Sequence, residues 1–484
     1  MERTVIHALG LMIMVFSLAY AMPLITALIY ADFSMLLDFS LAMGWTVIIG
    51  GAMWLSTRRY RGELSIRHGY LLVVAMWAAM PAVATLPLLM ALPGLTFTDA
   101  YFETMSGLTT TGATVLTGLD ALPPAINIWR HELNWLGGMG IIVLAVAVMP
   151  LLGIGGRQLF KVETPGPMKD TALTPRITET ARNLWLVYLG ITLACITSLK
   201  LVGMNWLDAI CHAFAAMGLG AFSTHDANIA YFNSPAIEAV LMVFMLLAAM
   251  NFATHFLALR KKSLKPYRLD VEGLSTVGLV LVSCAGIACF LWWKGTYPTF
   301  LTALRYASFN VVSIATDCGF SSVNFNLWPI FAPMWMLFLS CIVASSGSTG
   351  GGIKMIRTLV LFKQAGREFV RLLHPAAVNP LKIGGQVIPN NVVFSVLGFI
   401  FLYFISVATL TFALLISGLD FISAFSAVIA CINNAGPGLG VVGPASTYQG
   451  LTDFQTWVCT LAMLLGRLEI FTVLLLFTPQ FWRR

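Results

Sequence analysis

The residues of this chain best placed to do chemistry are four short runs of small and hydroxyl-bearing residues, each closing an apolar segment. In register they read Thr110-Thr111-Gly112-Ala113-Thr114, Leu219-Gly220-Ala221-Phe222-Ser223, Asp317-Cys318-Gly319-Phe320-Ser321 and Asn434-Ala435-Gly436-Pro437-Gly438. Oxygen atoms lined up along such turns can replace the hydration shell of a cation. Glycine supplies the unusual backbone dihedrals this needs, and Gly112, Gly319 and Gly436 meet the need at one aligned position. The second run has Ala221 there and Gly220 one place earlier. Either its backbone differs or Gly220 serves instead, and a looser grip on the ion is expected. Any one of these glycines alone reads as a helix cap or a packing contact. Four aligned runs favour a pore lining formed by Thr110, Thr111, Gly112, Leu219, Gly220, Ala221, Cys318, Gly319, Asn434, Ala435 and Gly436.

A second constellation is Ser345-Ser346-Gly347-Ser348-Thr349-Gly350-Gly351-Gly352, inside an apolar stretch from about 328 to 362. Glycine costs a helix about 1 kcal/mol each, so a loop at membrane depth is expected, with Gly347, Ser348, Thr349, Gly350, Gly351 and Gly352 as a candidate gate. Arg467 lies in the last apolar stretch, where a charge is costly and functional by default. It is expected to reach into the pore below the filter and to contact the glycine loop; the plain alternative is a snorkelling arginine. Glu469, two residues on, lies on a different helical face and is not its obvious partner. Lys354 and Arg357 fit the cytoplasmic mouth, a partner, or ordinary positive-inside residues.

Other chemistries find no support. Gly352 is followed by isoleucine rather than the lysine of a phosphate-binding loop, and Gly438-Leu439-Gly440-Val441-Val442-Gly443 opens no helix, so no nucleotide is expected on this chain. The eight cysteines form no CxxC pair and read as buried thiols, and the histidines lack metal-ligand spacing. With 58% hydrophobic and 10% charged residues, the chain reads as an all-α polytopic membrane protein. Its net charge of +7 comes from loops between spans, so nucleic acid is not an expected partner.

The elements that must position these runs follow from hydropathy. Apolar runs long enough to span occur at about 5–30, 36–57, 70–94, 133–155, 183–203, 234–258, 274–293, 328–362, 392–418 and 455–479. Runs too short to cross lie at about 97–108, 206–217, 299–314 and 421–432, just before the four turns. Irregular backbone at membrane depth is tolerated only where it is buried in protein or lines a watery path. The expected order is an N-terminal helix pair (1–68) followed by four helix–pore-loop–helix repeats around a central pore: 69–182, 183–272, 273–385 with the gating loop, and 386–484. Ala19-Tyr20-Ala21 resembles a signal-peptidase site, but the run continues and reads as an uncleaved helix. Clusters such as Arg58-Arg59, Arg157 to Arg182, Arg260 to Arg268 and Arg357 to Lys382 fall on one side only if every short helix re-enters, which puts both termini in the cytoplasm. The other side carries Asp99, Glu103, Asp120, Asp208, Asp226, Asp317, Asp420 and Asp453, an acidic vestibule able to concentrate cations. His225-Asp226 reads there as a solvated turn.

These motifs resemble the TrkH/KtrB superfamily of potassium-translocating subunits, closest to its TrkH branch. The carriers are Leu108 to Thr114, Gly138-Met139-Gly140-Ile141-Ile142-Val143-Leu144-Ala145, Gly220 to Asp226, Gly347 to Gly352, Asn433 to Gly440 and Gly466-Arg467-Leu468-Glu469. Ala221 and Asp317-Cys318 depart from the family pattern. The resemblance implies potassium uptake across the bacterial cytoplasmic (inner) membrane by a homodimer with one pore per protomer. It also implies gating by a cytoplasmic TrkA-like ring that binds nucleotide; K⁺ is the transported ion and no enzymatic step is expected. Potential-driven, channel-like passage leads over a K⁺/H⁺ or K⁺/Na⁺ symporter, because Arg467 is almost the only intramembrane charge legible in the spans.

Overall fold

A computed structural model describes residues 2–60, 65–140 and 177–483. The basic residues Arg61, Arg157, Lys161, Lys169 and Arg176, the end of the run 133–155, and Ile141 to Ala145 lie outside the described residues.

Among the described residues the chain is built of helices, with one two-stranded hairpin at Lys382–Ile383 and Gln386–Val387. Among the described residues, six helical stretches are long and apolar enough to cross a membrane: Arg3–Ile29, Phe33–Ser56, Arg67–Ala91, Ala181–Leu201, Val271–Trp293 and Asn390–Ile416. Their outward faces are apolar, with Ile29, Val282 and Phe394 all largely exposed, as surfaces meeting lipid require. The first two pack closely enough that a β-carbon on Gly10 would lie 2.7 Å from the Gly50 carbonyl oxygen. Beneath them Tyr20 stacks on Trp129 (4.6 Å between rings), and the Tyr20 hydroxyl donates to the Val83 carbonyl at 3.0 Å.

Four short helices carry the four turns: Phe97–Leu108, Trp206–Gly218, Phe300–Ala315 and Phe421–Ile432. Each starts the same way. The side chains of Thr96, Asn205, Thr299 and Asp420 accept from the backbone amides of Asp99, Asp208, Thr302 and Ser423, at 3.1, 2.7, 3.2 and 3.0 Å. This N-cap satisfies one of the orphan donors of the first turn. Each also ends the same way. The amides of Thr111, Gly220, Cys318 and Ala435 reach back five residues to the carbonyls of Ser106, Ala215, Ser313 and Ala430, at 2.9, 2.9, 2.9 and 2.8 Å. That closure demands a left-handed residue just before it, and Thr110, Leu219, Asp317 and Asn434 have φ of 61°, 57°, 65° and 58°.

The helices that follow the second, third and fourth turns are broken where hydropathy predicts continuity. The run 234–258 is two helices, Pro235–Ala249 and Phe252–Lys261, bent by 97°. The run 455–479 breaks after Arg467, with Glu469 at φ 55°, before Ile470–Leu475. The run 328–362 holds Phe331–Ile342 and then the glycine loop before Met355–Leu373. Hydropathy averages over such breaks because their flanks are apolar. The Asn251 side chain accepts from Ala253 N at 2.8 Å and starts the second half-helix.

Candidate functional site

The four turns meet. A cavity of about 70 Å³ is lined by Gly112, Ala221, Gly319 and Gly436, one residue from each turn at the aligned position. Gly112, Gly319 and Gly436 are left-handed, with φ of 73°, 84° and 87°. A β-carbon on them would lie 2.8, 2.7 and 2.6 Å from the Ala221 methyl. Ala221 and Gly220 themselves have no positive φ, so the second turn differs in backbone as well as in sequence. Gly220 serves a spatial need instead: a β-carbon there would lie 2.7 Å from Asn134 Cγ.

Lateral ties hold the turns to one another. Asn434 Nδ2 donates to the Thr111 hydroxyl at 2.9 Å, joining the fourth turn to the first. The Tyr448 hydroxyl donates to the Gly436 carbonyl at 2.9 Å, while Tyr448 N donates to the Thr114 carbonyl at 2.9 Å. The Cys318 thiol lies 3.8 Å from the Gly220 carbonyl. Asn228 bridges Ala221 O (3.3 Å) and Ser321 N (3.3 Å). Each turn is therefore braced through its neighbours.

Several carboxylates assigned to an open vestibule are not there. Glu103 and Arg130 are each 1% exposed and form an ion pair behind the first turn. Asp208 and Asp317 are buried as well. Of His225-Asp226, Asp226 is exposed in a turn as expected, but His225 is not solvated: it lies between Asp120 and Asp208 (3.3 Å to the latter) and stacks on Tyr231 at 3.5 Å. Asp226 in turn accepts from Leu119 N at 3.2 Å. Burial alone would lower the His225 pKa, but hydrogen bonds and charge from Asp208 and Asp120 outweigh it and raise the value. What sequence inspection lacked was the knowledge that the two outer loops meet.

Beneath the turns lies the glycine loop. The Thr349 hydroxyl donates to Met217 O at 3.0 Å and Ser345 N to Ala249 O at 3.0 Å. Gly351 has no room for a side chain against the Asn433 carbonyl, and a β-carbon on Gly347 would lie 2.8 Å from Asn251 Oδ1. Glu272, which drew no attention in the sequence, accepts from Ser346 N (2.7 Å) and Ile356 N (3.1 Å) and so clamps both ends of the loop. Arg467 donates to the Thr349 carbonyl at 3.0 Å, the Gly138 carbonyl at 3.1 Å and the Thr110 hydroxyl at 3.4 Å, and also to Gly137 O. It thus touches the loop, the first turn and the end of the helix Pro124–Met139. Lys354 is buried and donates back to Gly350 O. Arg357 pairs with Glu469 at 2.9 Å and lies over the Phe399 ring.

Comparison with known proteins agrees with this architecture. The profile of the TrkH family, described as cation transport protein, matches residues 38–282 and 298–484. The chain is 44% identical over 482 residues to the Trk system potassium uptake protein TrkH of Salmonella typhimurium, covering 99% of both chains. It is 39% identical over 491 residues to TrkG of Escherichia coli, again covering 99% of both. The crystal structure of the potassium transporter TrkH from Vibrio parahaemolyticus superposes with a TM-score of 0.90, at 42% identity and full coverage of both chains.

Proposed function

Because the chain belongs to the TrkH family of cation transport proteins, we propose that it is a potassium uptake protein whose four turns form a channel-like filter. The observation that carries this reading is the cavity shared by Gly112, Ala221, Gly319 and Gly436. The C-terminal ends of the short helices close onto these turns, and the partial negative charge at such ends favours a cation. The filter residues are Thr110, Thr111, Gly112, Leu219, Gly220, Ala221, Cys318, Gly319, Asn434, Ala435 and Gly436, arranged in the repeats 69–182, 183–272, 273–385 and 386–484 after the helix pair 1–68.

Inward movement is driven by the membrane potential, which supplies about 2.3 kcal/mol per charge for each 100 mV or so. The loop Gly347 to Gly352 lies across the inner side of the path, and the Arg467 guanidinium beneath Thr110 raises the barrier to a cation. The protein sits in the bacterial inner membrane with both termini cytoplasmic, works as a homodimer, and opens when a cytoplasmic TrkA-like nucleotide-binding ring moves the loop.

A coupled K⁺/H⁺ or K⁺/Na⁺ mechanism gains support from one observation. Glu132 and Asp317 are buried, and Glu132 Oε2 and both Asp317 carboxylate oxygens accept no hydrogen bond, so more intramembrane acids are present than Arg467 alone suggested. One experiment separates the readings: Rb⁺ uptake into proteoliposomes under an imposed inside-negative potential, with and without proton and Na⁺ gradients. Uptake that follows the potential alone supports the channel; uptake that requires a second gradient replaces it with the symporter.

A further inference from the structure

The left-handed position of each turn carries a different side chain: Thr110, Leu219, Asp317 and Asn434. Thr110 receives Arg467, and Asn434 donates to Thr111 and to the Met463 carbonyl. Asp317 is the charged member of the set. It is fully buried, and neither carboxylate oxygen accepts a hydrogen bond, although the Gly351 amide and the Lys354 ammonium are near enough to act on its charge. A carboxylate taken out of water and left without partners is costly, so something of opposite charge belongs beside it.

The surroundings indicate what. Gly350 packs against this carboxylate: a β-carbon there would lie 3.4 Å from Asp317 Oδ2 and 3.3 Å from the Thr316 carbonyl oxygen. The Lys354 side chain folds back to donate to the Gly350 carbonyl. Lys354 itself has φ 77°, a strained value for a residue with a side chain, so its backbone is held in place to aim the ammonium inward. One carboxylate and two neutral carbonyls offer oxygen ligands with a single negative charge. That set suits one monovalent cation, and the lysine supplies one.

The geometry points to a potassium subsite made by Asp317 with the Thr316 and Gly350 carbonyls at the inner end of the third turn, where the Lys354 ammonium acts as a tethered competitor for the permeating ion. The inference rests on the pore reading above. In the conformation described, the Lys354 ammonium sits on the Gly350 carbonyl, where its charge acts on Asp317 and occupies one of the oxygens the ion would need. Displacement of the glycine loop carries Lys354 away through Gly350 and leaves the carboxylate to the ion. Opening the gate and creating the subsite are then one event, and potassium itself favours the open arrangement.

The test uses the full chain in proteoliposomes with Rb⁺ as the probe ion, comparing wild type, Asp317→Asn, Lys354→Met and the double variant. Absence of potential-driven uptake by the wild type, with or without its cytoplasmic partner, sinks the pore reading itself. With wild-type uptake established, Lys354→Met is expected to lower the half-saturating Rb⁺ concentration by roughly tenfold, a modest fraction of what removing a competing charge is worth at an effective dielectric of about 20. The gain must vanish in the double variant. A gain that persists without Asp317 overturns the subsite, as does a double variant that merely rescues two unstable single variants with no change in Rb⁺ dependence. Should Lys354→Met fail to purify as a monodisperse species, Rb⁺-dependent thermal stabilisation of Asp317→Asn decides. A smaller stabilisation than in wild type supports the site, and an equal one overturns it.

Discussion

Glu103 and Arg130 form a buried ion pair at 2.8 Å that ties the first turn to the second. The carboxylate also accepts from the Thr114 hydroxyl and Val115 N, both at 3.0 Å, while the guanidinium donates to the Ser223 carbonyl at 3.2 Å and lies over the Phe222 ring. Removing one partner strands the other in a dry interior, at a cost of about 3–5 kcal/mol. Glu103→Ala is therefore expected to lower the thermal unfolding temperature sharply and to weaken K⁺ over Na⁺ discrimination. Unchanged unfolding and selectivity would mean that the pair is not what braces the two turns.

Arg467 holds the glycine loop and the first turn together through Thr349 O and Thr110. Arg467→Ala removes both the tether and the positive charge, so potential-driven Rb⁺ uptake should rise severalfold without the cytoplasmic partner. Arg467→Lys keeps the charge but loses the multiple directed bonds, and should fall between. A slower Arg467→Ala protein that is still folded would show that the arginine supports the path rather than obstructing it.

Around their shared cavity the four turns leave no room for an added side chain at the aligned position. A β-carbon on Gly319 would overlap the Ala435 carbonyl oxygen, and its left-handed φ of 84° adds strain. Gly319→Ala should abolish selective uptake. The converse change, Ala221→Gly, removes the methyl that faces the three glycines and should alter the K⁺ to Na⁺ uptake ratio while leaving protein yield near wild type. Identical ratios for Ala221→Gly and wild type would place the discriminating contacts elsewhere.

The His225 clamp has a defined pH window. Its raised pKa means that the protonated form stabilises the fold fully below the ordinary histidine value and that this contribution is lost as pH climbs through the raised value. Asp120 has its pKa lowered: burial works against this, but the bonds from His225 and Asp226 N win. Its contribution is present above the ordinary carboxylate value and fades as pH falls through the lowered one. The unfolding-temperature difference between wild type and His225→Gln should accordingly be largest in mildly acidic buffer and shrink toward alkaline pH. A difference that does not depend on pH would assign His225 a packing role on Tyr231 alone.

The parts legible in the sequence were those written locally. The short helices announce themselves by length, so the aligned turns that close them follow directly, whereas their caps Thr96, Asn205, Thr299 and Asp420 emerged only from the structure. The glycine loop was legible because six adjacent small residues cannot remain helical at membrane depth. What stayed hidden depends on chain segments far apart in sequence. Arg130 meets Glu103 across 27 residues, and Glu272 meets Ser346 across 74. The bend between Ala249 and Phe252 contains neither glycine nor proline. Its signal was a single asparagine in an apolar run, which hydropathy averages away.

The broken helices also bear on how the chain enters the bilayer. Phe331–Ile342 and Ile470–Leu475 are too short to cross alone, and each ends in backbone groups that lipid cannot satisfy. The end of the first is held by contacts beyond the helix: Ile353 N, past the glycine loop, donates to Cys341 O, and Asn433 Nδ2, just after the fourth short helix, donates to the Ser340 hydroxyl at 2.9 Å. Such pieces cannot be delivered to the membrane one at a time as finished spans. The segment after residue 330 is therefore expected to reach its final packing only once the short helix Phe421–Ile432 and the final helices have been synthesised, which makes assembly of the inner half of this protein a late step.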